Sequence, residues 1–236
     1  MFETVKNRRT IRKYLPKDIA PDLLNDLLET SFRASTMGGM QLYSVIVTRD
    51  TEMKEKLSPA HFNQPMVKNA PVVLTFCADF RRFCKWCEQR KAVPGYDNLM
   101  SFMNAAMDTL LVAQTFCTLA EEAGLGICYL GTTTYNPQMI IDTLQLPELV
   151  FPLTTITVGY PDSIPAQVDR LPWKRLYIRK PIMTTHPKIL INCMPIRNRC
   201  LKINNSSKRI RKKRLLRFLQ TYVIQRKIMN LCPITC

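Results

Sequence analysis

Apolar residues recur every three or four positions in several stretches of the chain, and this spacing predicts helices. In residues 21–35 the apolar positions fall on one helical face. Residues 98–123 keep the same spacing for about seven turns, which predicts a long central helix that ends before Gly124. Shorter helices are predicted at residues 51–57 and 137–144.

Shorter apolar runs lie between these helices and predict strands. The first run alternates in character, with Tyr43, Val45 and Val47 on one face, whereas the second is continuously apolar and typical of a buried strand. Strands and helices that alternate along the chain indicate a mixed α and β domain. The predicted strands are residues 42–48, 72–78, 127–130 and 151–158, and a turn follows at residues 159–162.

The formal net charge of +16 is confined to the last part of the chain. Residues 173–236 contain 17 Lys and Arg but no Asp or Glu, whereas residues 1–172 contain 17 basic and 18 acidic residues. We therefore assign residues 1–172 to a folded domain and residues 173–236 to an atypical basic tail. The charge of the whole chain, which would suggest a nucleic-acid binder, describes neither part.

The location of the protein is expected to be the cytoplasm. Residues 1–20 hold several cations and no central apolar segment, so they do not resemble a secretory signal. The longest apolar run, residues 71–78, is far shorter than the roughly 20 residues that cross a bilayer. We therefore expect no membrane partner for the domain.

The nine cysteines are expected to be reduced thiols, because disulfides are rare in cytosolic domains of this size. Cys77, Cys117 and Cys128 lie in apolar surroundings and are predicted to belong to the core. Cys84 and Cys87 form the one C-x-x-C pair, but a second pair and nearby histidines are missing. We interpret both as core or surface residues rather than as metal ligands or a redox pair, and we expect no metal.

Residues 7–14 place Arg8, Arg9 and Arg12 around Thr10. Guanidinium groups bind phosphate oxygens through paired hydrogen bonds, and a hydroxyl group adds one more. The segment is therefore a candidate phosphate site. A run of this kind is also typical of a solvated surface, so the pattern alone leaves both interpretations open.

Several segments occur in the order found in the FMN-dependent nitroreductases, and the chain resembles the oxygen-insensitive NAD(P)H type of that family. They are RRTIRKY, RASTMGGMQLYSVIV, NQPMVKNAPVVLTFCADFRR, and EEAGLGICYLGTTTYNPQMIIDTLQLP followed by TVGYP and DRLP. Together they cover most of residues 1–172. The resemblance implies an α+β fold, with a central antiparallel sheet flanked by helices, and an intertwined homodimer with FMN at its interface.

The resemblance also implies which residues bind FMN. The segment of residues 7–14 would hold the cofactor, with Arg12 near N1 and the C2 carbonyl, where a cation favours the reduced state. Arg170 would reach the phosphate from the far end of the domain, although Val168 stands where the family has a lysine. The implied set is Arg8, Arg9, Thr10, Arg12, Ser35, Gln41, Gln64, Leu130, Gly131, Thr132 and Arg170.

Three further segments of this set have distinct implied roles. Ser35 and Gln41 match a loop that this subunit or its partner lays over the isoalloxazine and ribityl groups. Gln64 matches a position near the pyrimidine edge of the flavin or the substrate. Residues 130–132 match the turn whose backbone N–H faces flavin N5, and Gly131, which permits close approach, is the expected catalytic position. The residue after it is a threonine, where many relatives have a second glycine.

The implied activity is ping-pong hydride transfer from NAD(P)H to an electron-poor acceptor such as a nitroaromatic compound, a quinone or a flavin. The first substrate leaves before the second binds in the same place. Little acid–base machinery is needed from the protein, because the cofactor carries the hydride step. The sequence accordingly shows no convincing nucleophilic triad or metal-ligand cluster.

The resemblance stops at residue 173, where relatives continue with an acidic, mostly helical segment that wraps the partner subunit. One interpretation is a basic amphipathic arm over residues 206–227, which would make the protein a non-enzymatic binder of nucleic acid or anionic membrane. We favour a shifted reading frame, because one codon choice for residues 185–198, read two bases later, encodes SPEDIDKLYADKE. Loss of the family segment would weaken dimerisation and reduce turnover.

Overall fold

The computed structural model describes residues 2–95, 98–172 and Leu176 of the chain. These residues fall into two compact units that divide after Pro165, and the helices and strands named below all belong to the first unit. The basic tail expected at residues 173–236 lies outside the described residues apart from Leu176. Both interpretations of the tail therefore stay predictions.

Helices and strands alternate through the described part of the first unit, as the apolar spacing predicts. The helices are α1 (Glu3–Lys6), α2 (Pro21–Ser31), α3 (Thr51–Leu57), α4 (Pro65–Asn69), α5 (Arg81–Gln89), α6 (Leu99–Glu122) and α7 (Pro137–Leu144). The strands are β1 (Tyr43–Thr48), β2 (Val72–Asp79), β3 (Gly126–Leu130) and β4 (Val150–Gly159). Short 3₁₀ turns lie at Met37–Gly39 and Ser58–His61.

The strands form one antiparallel sheet in the order β1-β2-β4-β3. Strand β2 is buried along its whole length, because it lies between β1 and β4 and is covered by helices. Strands β1 and β3 are the two edges of this sheet. The α+β fold with a central antiparallel sheet, expected from the sequence, is confirmed.

Helices cover both faces of the sheet. On one face α2 and α6 pack against the central strands through Leu24, Leu28, Leu74, Phe76, Val112, Phe116 and Ile156. On the other face α3, α4 and α7 pack against β3 in a smaller cluster of Leu57, Ala60, Met66, Val67, Cys128, Leu130 and Ile140. Ile127 and Cys128 are neighbours in β3 but belong to different clusters, as the two-residue period of a strand requires.

Helix α6 has a buried face rich in small residues and an exposed apolar face. Buried Ala105, Ala113 and Ala120 let the helix lie close to its neighbours. The larger apolar residues that give α6 its helical spacing are partly on the other side, since Leu99 and Leu110 are 60% and 47% exposed. This exposed face, called the α6 stripe below, consists of Leu99, Met100, Met103, Met107, Leu110 and Leu111.

Three helices are absent from the sequence prediction. Helices α1 and α4 contain 4 and 5 residues, which is too short for a helical period to show. Helix α5 contains 9 residues, many of them charged, and its four apolar side chains fill fewer than about three turns. Helices α3 and α7 have the predicted bounds, whereas α2 ends at Ser31 rather than at residue 35.

No helix among the described residues is long and apolar enough to cross a membrane. Within the same residues, no group of three or more His, Cys, Asp and Glu side chains could hold a metal ion. Cys77, Cys117 and Cys128 are buried free thiols, which confirms that they belong to the core. Cys84 and Cys87 are buried free thiols on α5.

Candidate functional site

The segment of residues 8–14, called the N-terminal arm below, is attached to strands β3 and β4. The Ile11 N–H donates a hydrogen bond of 3.0 Å to the carbonyl oxygen of Ile127 in β3. Tyr14 forms an antiparallel bridge with Pro161, and the Asp162 N–H donates to the Lys13 carbonyl oxygen at 3.1 Å. Backbone bonds thus hold the arm at one edge of the sheet.

Two glycines opposite each other make room for the arm. Gly126 in β3 pairs with Gly159 in β4. A Cβ atom at Gly126 would lie 2.6 Å from Cγ1 of Ile11, and one at Gly159 would lie 2.8 Å from Cδ1 of Tyr14. Both distances are shorter than real Cβ contacts, so the arm can take this path only because both positions are glycine.

Tyr14 fixes the second half of the arm through its hydroxyl group. The Tyr14 Oη lies 2.7 Å from Oγ1 of Thr157 and donates to the Ile11 carbonyl oxygen at 2.9 Å. Burial raises the pKa of Tyr14, and the hydrogen bond with Thr157 lowers it by less. The phenol therefore stays protonated and acts as an anchor.

The arm's cations have different surroundings. Arg8 Nε lies 3.5 Å from Oε1 of Glu121 on α6, and both side chains are largely buried. Burial raises the pKa of Glu121, and the Arg8 charge lowers it. Arg9 Nε is buried and has no hydrogen-bond partner within the described part of the chain. Arg12 is exposed, and Thr10 is half-buried.

The arm's cations lie near β3. Burial raises the pKa of the Cys128 thiol in β3, and the charges of Arg12 and Arg8 lower it. Two residues after Cys128 the strand ends at Leu130, and the turn with Gly131 begins. The structure thus brings the predicted arm residues and the predicted turn residues to the same strand.

The turn after β3 exposes a patch of backbone. Gly131 is exposed, and no atom lies within 4 Å of the place where its Cβ would be. Leu130 and Thr132 are buried on either side. Thr133 donates from its N–H and its hydroxyl to the Leu130 carbonyl oxygen, at 3.3 and 2.9 Å, so the turn has a fixed shape.

A histidine that the sequence analysis gave no role joins this turn to the segment with Gln64. His61 is completely buried, and its Nδ1 lies 2.9 Å from Oγ1 of Thr132. The Asn136 side-chain amide donates to the Ala60 carbonyl oxygen at 3.2 Å. Gln64, half-buried, follows three residues after His61. The structure therefore connects Gln64 with the turn.

The loop with Ser35 and Gln41 is organised by a buried carboxylate on α6. Asp108 is completely buried and accepts hydrogen bonds from Thr36 Oγ1 at 2.5 Å and from the Met37 N–H at 2.8 Å. A third bond comes from the Leu42 N–H at 3.3 Å. One carboxylate thus sets the path of the loop, while Ser35 and Gln41 themselves remain exposed.

Arg82 on α5 holds the end of the same loop. Its guanidinium donates to the carbonyl oxygens of Gln41 and Tyr43, the latter at 2.9 Å. Gln41 has a left-handed backbone with a φ of 51°, which these bonds help to maintain. Beside it lies a groove of about 280 Å³ lined by Phe32, Gln41, Tyr43, Ser44, Val45 and Arg82.

The structure does not bring this loop next to the turn. The loop leads into β1, and the turn follows β3, and these are opposite edges of the sheet. Three strand spacings separate the two edges by about 14 Å.

Arg170 belongs to the second unit, where its guanidinium donates to the Val168 carbonyl oxygen at 3.1 Å.

His61 and Asp108 are the site-building residues that sequence reasoning missed. The signal for Asp108 is available in the sequence, because it is the one acidic residue between Leu99 and Ala120 in a long apolar helix. A charge at such a position needs several hydrogen-bond donors when the helix is buried. For His61 there is no comparable signal, since its partner is 71 residues away in the chain.

Comparison with known proteins finds one matching family model and several similar reductases. Residues 5–160 match the model of the Nitroreductase family. FMN reductase (NADPH) of Bacillus subtilis (strain 168) is 33% identical over 178 residues, which are 75% of this chain and 72% of that protein. CR(VI) reductase of Pseudomonas sp. (strain G-1) is 32% identical over 170 residues, 72% of this chain and 70% of that protein.

A solved structure is more similar in sequence than these relatives. It is a crystal structure from Bacteroides fragilis NCTC 9343 of a protein described as a candidate oxidoreductase. The identity is 63% and the TM-score is 0.88, over 94% of this chain and 98% of that one.

Gly126 and Gly159, called the glycine notch below, make room for the arm. Substitution of Gly126 by alanine tests whether the arm needs this room. We expect Gly126→Ala to lower the free energy of unfolding by about 1–3 kcal/mol, because the new methyl group overlaps Ile11. Urea unfolding measures the loss, and hydrogen exchange at the Ile11 amide shows whether the arm detaches. Gly95→Ala is the matched control, since no atom lies within 4 Å of its Cβ position. Equal stability of the two variants would contradict the notch.

The stability of the protein should depend on pH through His61. Burial lowers the pKa of His61 from 6.5 to about 4, so below pH 6.5 the unfolded chain binds a proton that the folded protein does not. The contribution of neutral His61 is complete above pH 6.5 and is lost as the pH falls toward 4. Between pH 7.5 and 5 the loss amounts to about 2 kcal/mol.

Urea unfolding at several pH values measures this loss. Residue 61 cannot titrate in the His61→Gln variant, whereas all carboxyl groups are the same as in the parent protein. Between pH 7.5 and 5 the free energy of unfolding should therefore fall less in the variant than in the parent. Identical pH profiles for the two proteins would show that His61 is not buried in its neutral form.

Proposed function

The chain belongs to the nitroreductase family, and we propose on this basis that it is an FMN-dependent oxidoreductase that transfers hydride from NAD(P)H to an electron-poor acceptor. One structural observation carries the proposal. A cationic arm is attached to strand β3, and that strand leads directly into an exposed glycine turn. Cations suited to a phosphate group and a backbone that a flat ring system can approach thus lie at the same strand.

The described residues fit FMN. The buried Arg9 Nε lacks a hydrogen-bond partner among them, and a ligand oxygen would satisfy it. The open space beside Gly131 lets a ring system reach the backbone without meeting a side chain. We therefore assign the arm, the turn and Gln64 to cofactor binding within one chain.

Each residue of the arm has a proposed task. Arg8 and Arg9 neutralise the phosphate, and Thr10 adds a hydroxyl hydrogen bond. Glu121 orients Arg8, and its negative charge offsets part of the positive charge of the arm. Arg12 faces the pyrimidine end, where a positive charge favours reduction. The role of Arg170 at the phosphate, implied by the family resemblance, stays a prediction.

The turn determines how closely the reacting centre approaches the protein. When bound, FMN supplies the hydride chemistry at its N5 atom. Gly131 permits contact there, and the backbone N–H of the turn is the proposed donor to that edge. Leu130 packs in the cluster beneath the turn and keeps its position fixed.

We propose nitroaromatic compounds, quinones or flavins as acceptors, and the cytoplasm, where NAD(P)H is available, as the location. The names of the relatives support a small electron-poor acceptor, because one is an FMN reductase and another a CR(VI) reductase. The rival function, a non-enzymatic protein with a basic binding tail, depends on residues 173–236 alone. Neither the described residues nor the relatives favour it.

We propose a homodimer as the active form. The α6 stripe leaves large apolar side chains in contact with water, which is typical of a surface that a partner covers. The loop of Ser35 and Gln41 lies at the other sheet edge from Gly131, about 14 Å away by strand spacing. A second copy that packs on the α6 stripe can bring its own loop to the flavin, which this chain's loop does not approach.

The purified protein should contain FMN and oxidise NAD(P)H when a quinone is supplied, at a rate that the altered residues 173–236 reduce. Gly131→Ala should weaken FMN binding at least tenfold, about 1.4 kcal/mol, because its methyl group fills the space that the ring system needs. Its folding stability should not fall, since the methyl group meets no protein atom. Visible absorbance and flavin fluorescence measure binding, and Gly95→Ala is the control. Undiminished FMN affinity in Gly131→Ala would place the flavin elsewhere.

The dimer is tested by placing a charge on the α6 stripe. Leu110→Glu should weaken self-association at least tenfold, about 1.4 kcal/mol, because a twofold interface buries the new carboxylate in both copies. Sedimentation at several protein concentrations measures association, and Val93→Glu introduces the same change at an exposed residue outside α6. If both variants associate like the parent chain, the stripe is not the interface.

A further inference from the structure

Two chain segments that carry proposed flavin contacts are fastened to each other by side chains that the family resemblance does not account for. Residues 58–64 and 130–136 meet through the His61–Thr132 hydrogen bond and the bond from Asn136 to the Ala60 carbonyl oxygen. The rings of Phe62 and Tyr135 also pack together, with centroids 6.0 Å apart. The three contacts join residues 60–62 of one segment to residues 132, 135 and 136 of the other, so they act as one clamp.

The clamp contains a buried imidazole, and packing alone does not explain it, because an apolar side chain would fill the same space at a lower cost in stability. His61 is completely buried, and its Nε2 has no hydrogen-bond partner in the described part of the chain. An unpaired polar atom in the interior lowers stability, and an apolar side chain of similar size would avoid this cost. What the imidazole adds is the bond from Nδ1 to Thr132, 71 residues along the chain.

The backbone next to His61 is held in an unfavourable conformation. Phe62 and Asn63 are consecutive non-glycine residues with φ values of 56° and 53°. Left-handed backbone is rare for such residues and persists only where surrounding contacts impose it. Gln64 follows directly, so its placement depends on the contacts that hold these two residues.

We infer that His61 is a positioning residue for the flavin site, which through Thr132 fixes the Gly131 turn relative to Gln64. The inference rests on the proposed function, because it assigns these two elements to different parts of the same ring system. Contacts at N5 and at the pyrimidine edge can form together only if the turn and Gln64 keep a fixed separation. The clamp sets that separation before the cofactor binds.

The position of the turn also influences how readily the bound flavin is reduced. Hydrogen bonds from protein to a redox cofactor change its potential as they strengthen or weaken. If the turn moves away, the backbone donor becomes less well aligned with the flavin, and the potential changes even when the cofactor remains bound. A merely structural role for His61 would lower stability and leave the potential of bound FMN unchanged.

Geometry distinguishes the variants that keep the bond from those that lose it. The Nδ1 atom is attached to Cγ, and the side-chain amide nitrogen of asparagine is attached to the same carbon. His61→Asn can therefore restore the contact with Thr132, whereas the amide of His61→Gln lies one bond further out. His61→Leu and Thr132→Val remove the bond and keep similar volumes.

The test compares these variants with the parent protein in FMN affinity and in the midpoint potential of bound FMN. For His61→Leu and Thr132→Val we expect affinity to fall about tenfold and the reduction equilibrium to shift about tenfold, or about 30 mV for two electrons. His61→Asn should recover most of both, and His61→Gln should not. The double variant should resemble either single variant, because both remove the same bond.

Two controls separate this inference from loss of stability and from failure of the proposed function. Ile140→Val removes one methyl group from the cluster that contains Leu130 and should leave affinity and potential unchanged. In the FMN-free protein, hydrogen exchange at residues 130–136 should accelerate in Thr132→Val.

If the parent binds FMN but the His61 and Thr132 variants keep its affinity and potential, the inference is wrong. If the parent protein binds no FMN, the proposed function fails and the inference falls with it.

Discussion

The attachment of the N-terminal arm to strands β3 and β4 is the contact on which the proposed site depends. The arm passes over a pair of glycines, Gly126 and Gly159, that face each other in the sheet register. Without this notch the arm could not approach closely enough for the Ile11 backbone to bond to β3. The same strand ends at the Gly131 turn, so one element fixes both the cationic end and the ring-contacting end of the site.

Buried polar groups place the remaining segments, Asp108 through three hydrogen bonds and His61 through one. Asp108 gathers donors from the loop before β1, and His61 joins the turn after β3 to the segment with Gln64. Such groups are expensive to bury unless they are paired, so they specify one arrangement of otherwise irregular backbone. The loop at the β1 edge is too distant to complete the site by itself, which is why a second copy enters the proposal.

Much of the fold can be predicted from the sequence, because its strands and longer helices have apolar periods that tertiary packing preserves. The exception is α6, where six Leu and Met residues form an exposed stripe, while small residues together with Val112 and Phe116 face the core. Sequence spacing cannot show which of two apolar faces is buried within the chain. The site residues came from family resemblance. Neither apolar spacing nor family resemblance predicts the His61–Thr132 bond, because the two residues are 71 positions apart and meet only in the folded chain.

The central claim is that the arm and the turn form one FMN site, with the arm's cations on the phosphate. Titration of flavin-free protein with FMN and with riboflavin, followed by flavin fluorescence, tests it most directly. Riboflavin has the same ring system and ribityl chain but no phosphate. The account predicts that FMN binds about 100-fold more tightly or better, since charge-assisted bonds to the phosphate contribute roughly 1.5–3 kcal/mol each. Equal affinity for the two flavins, or binding of neither, would contradict it.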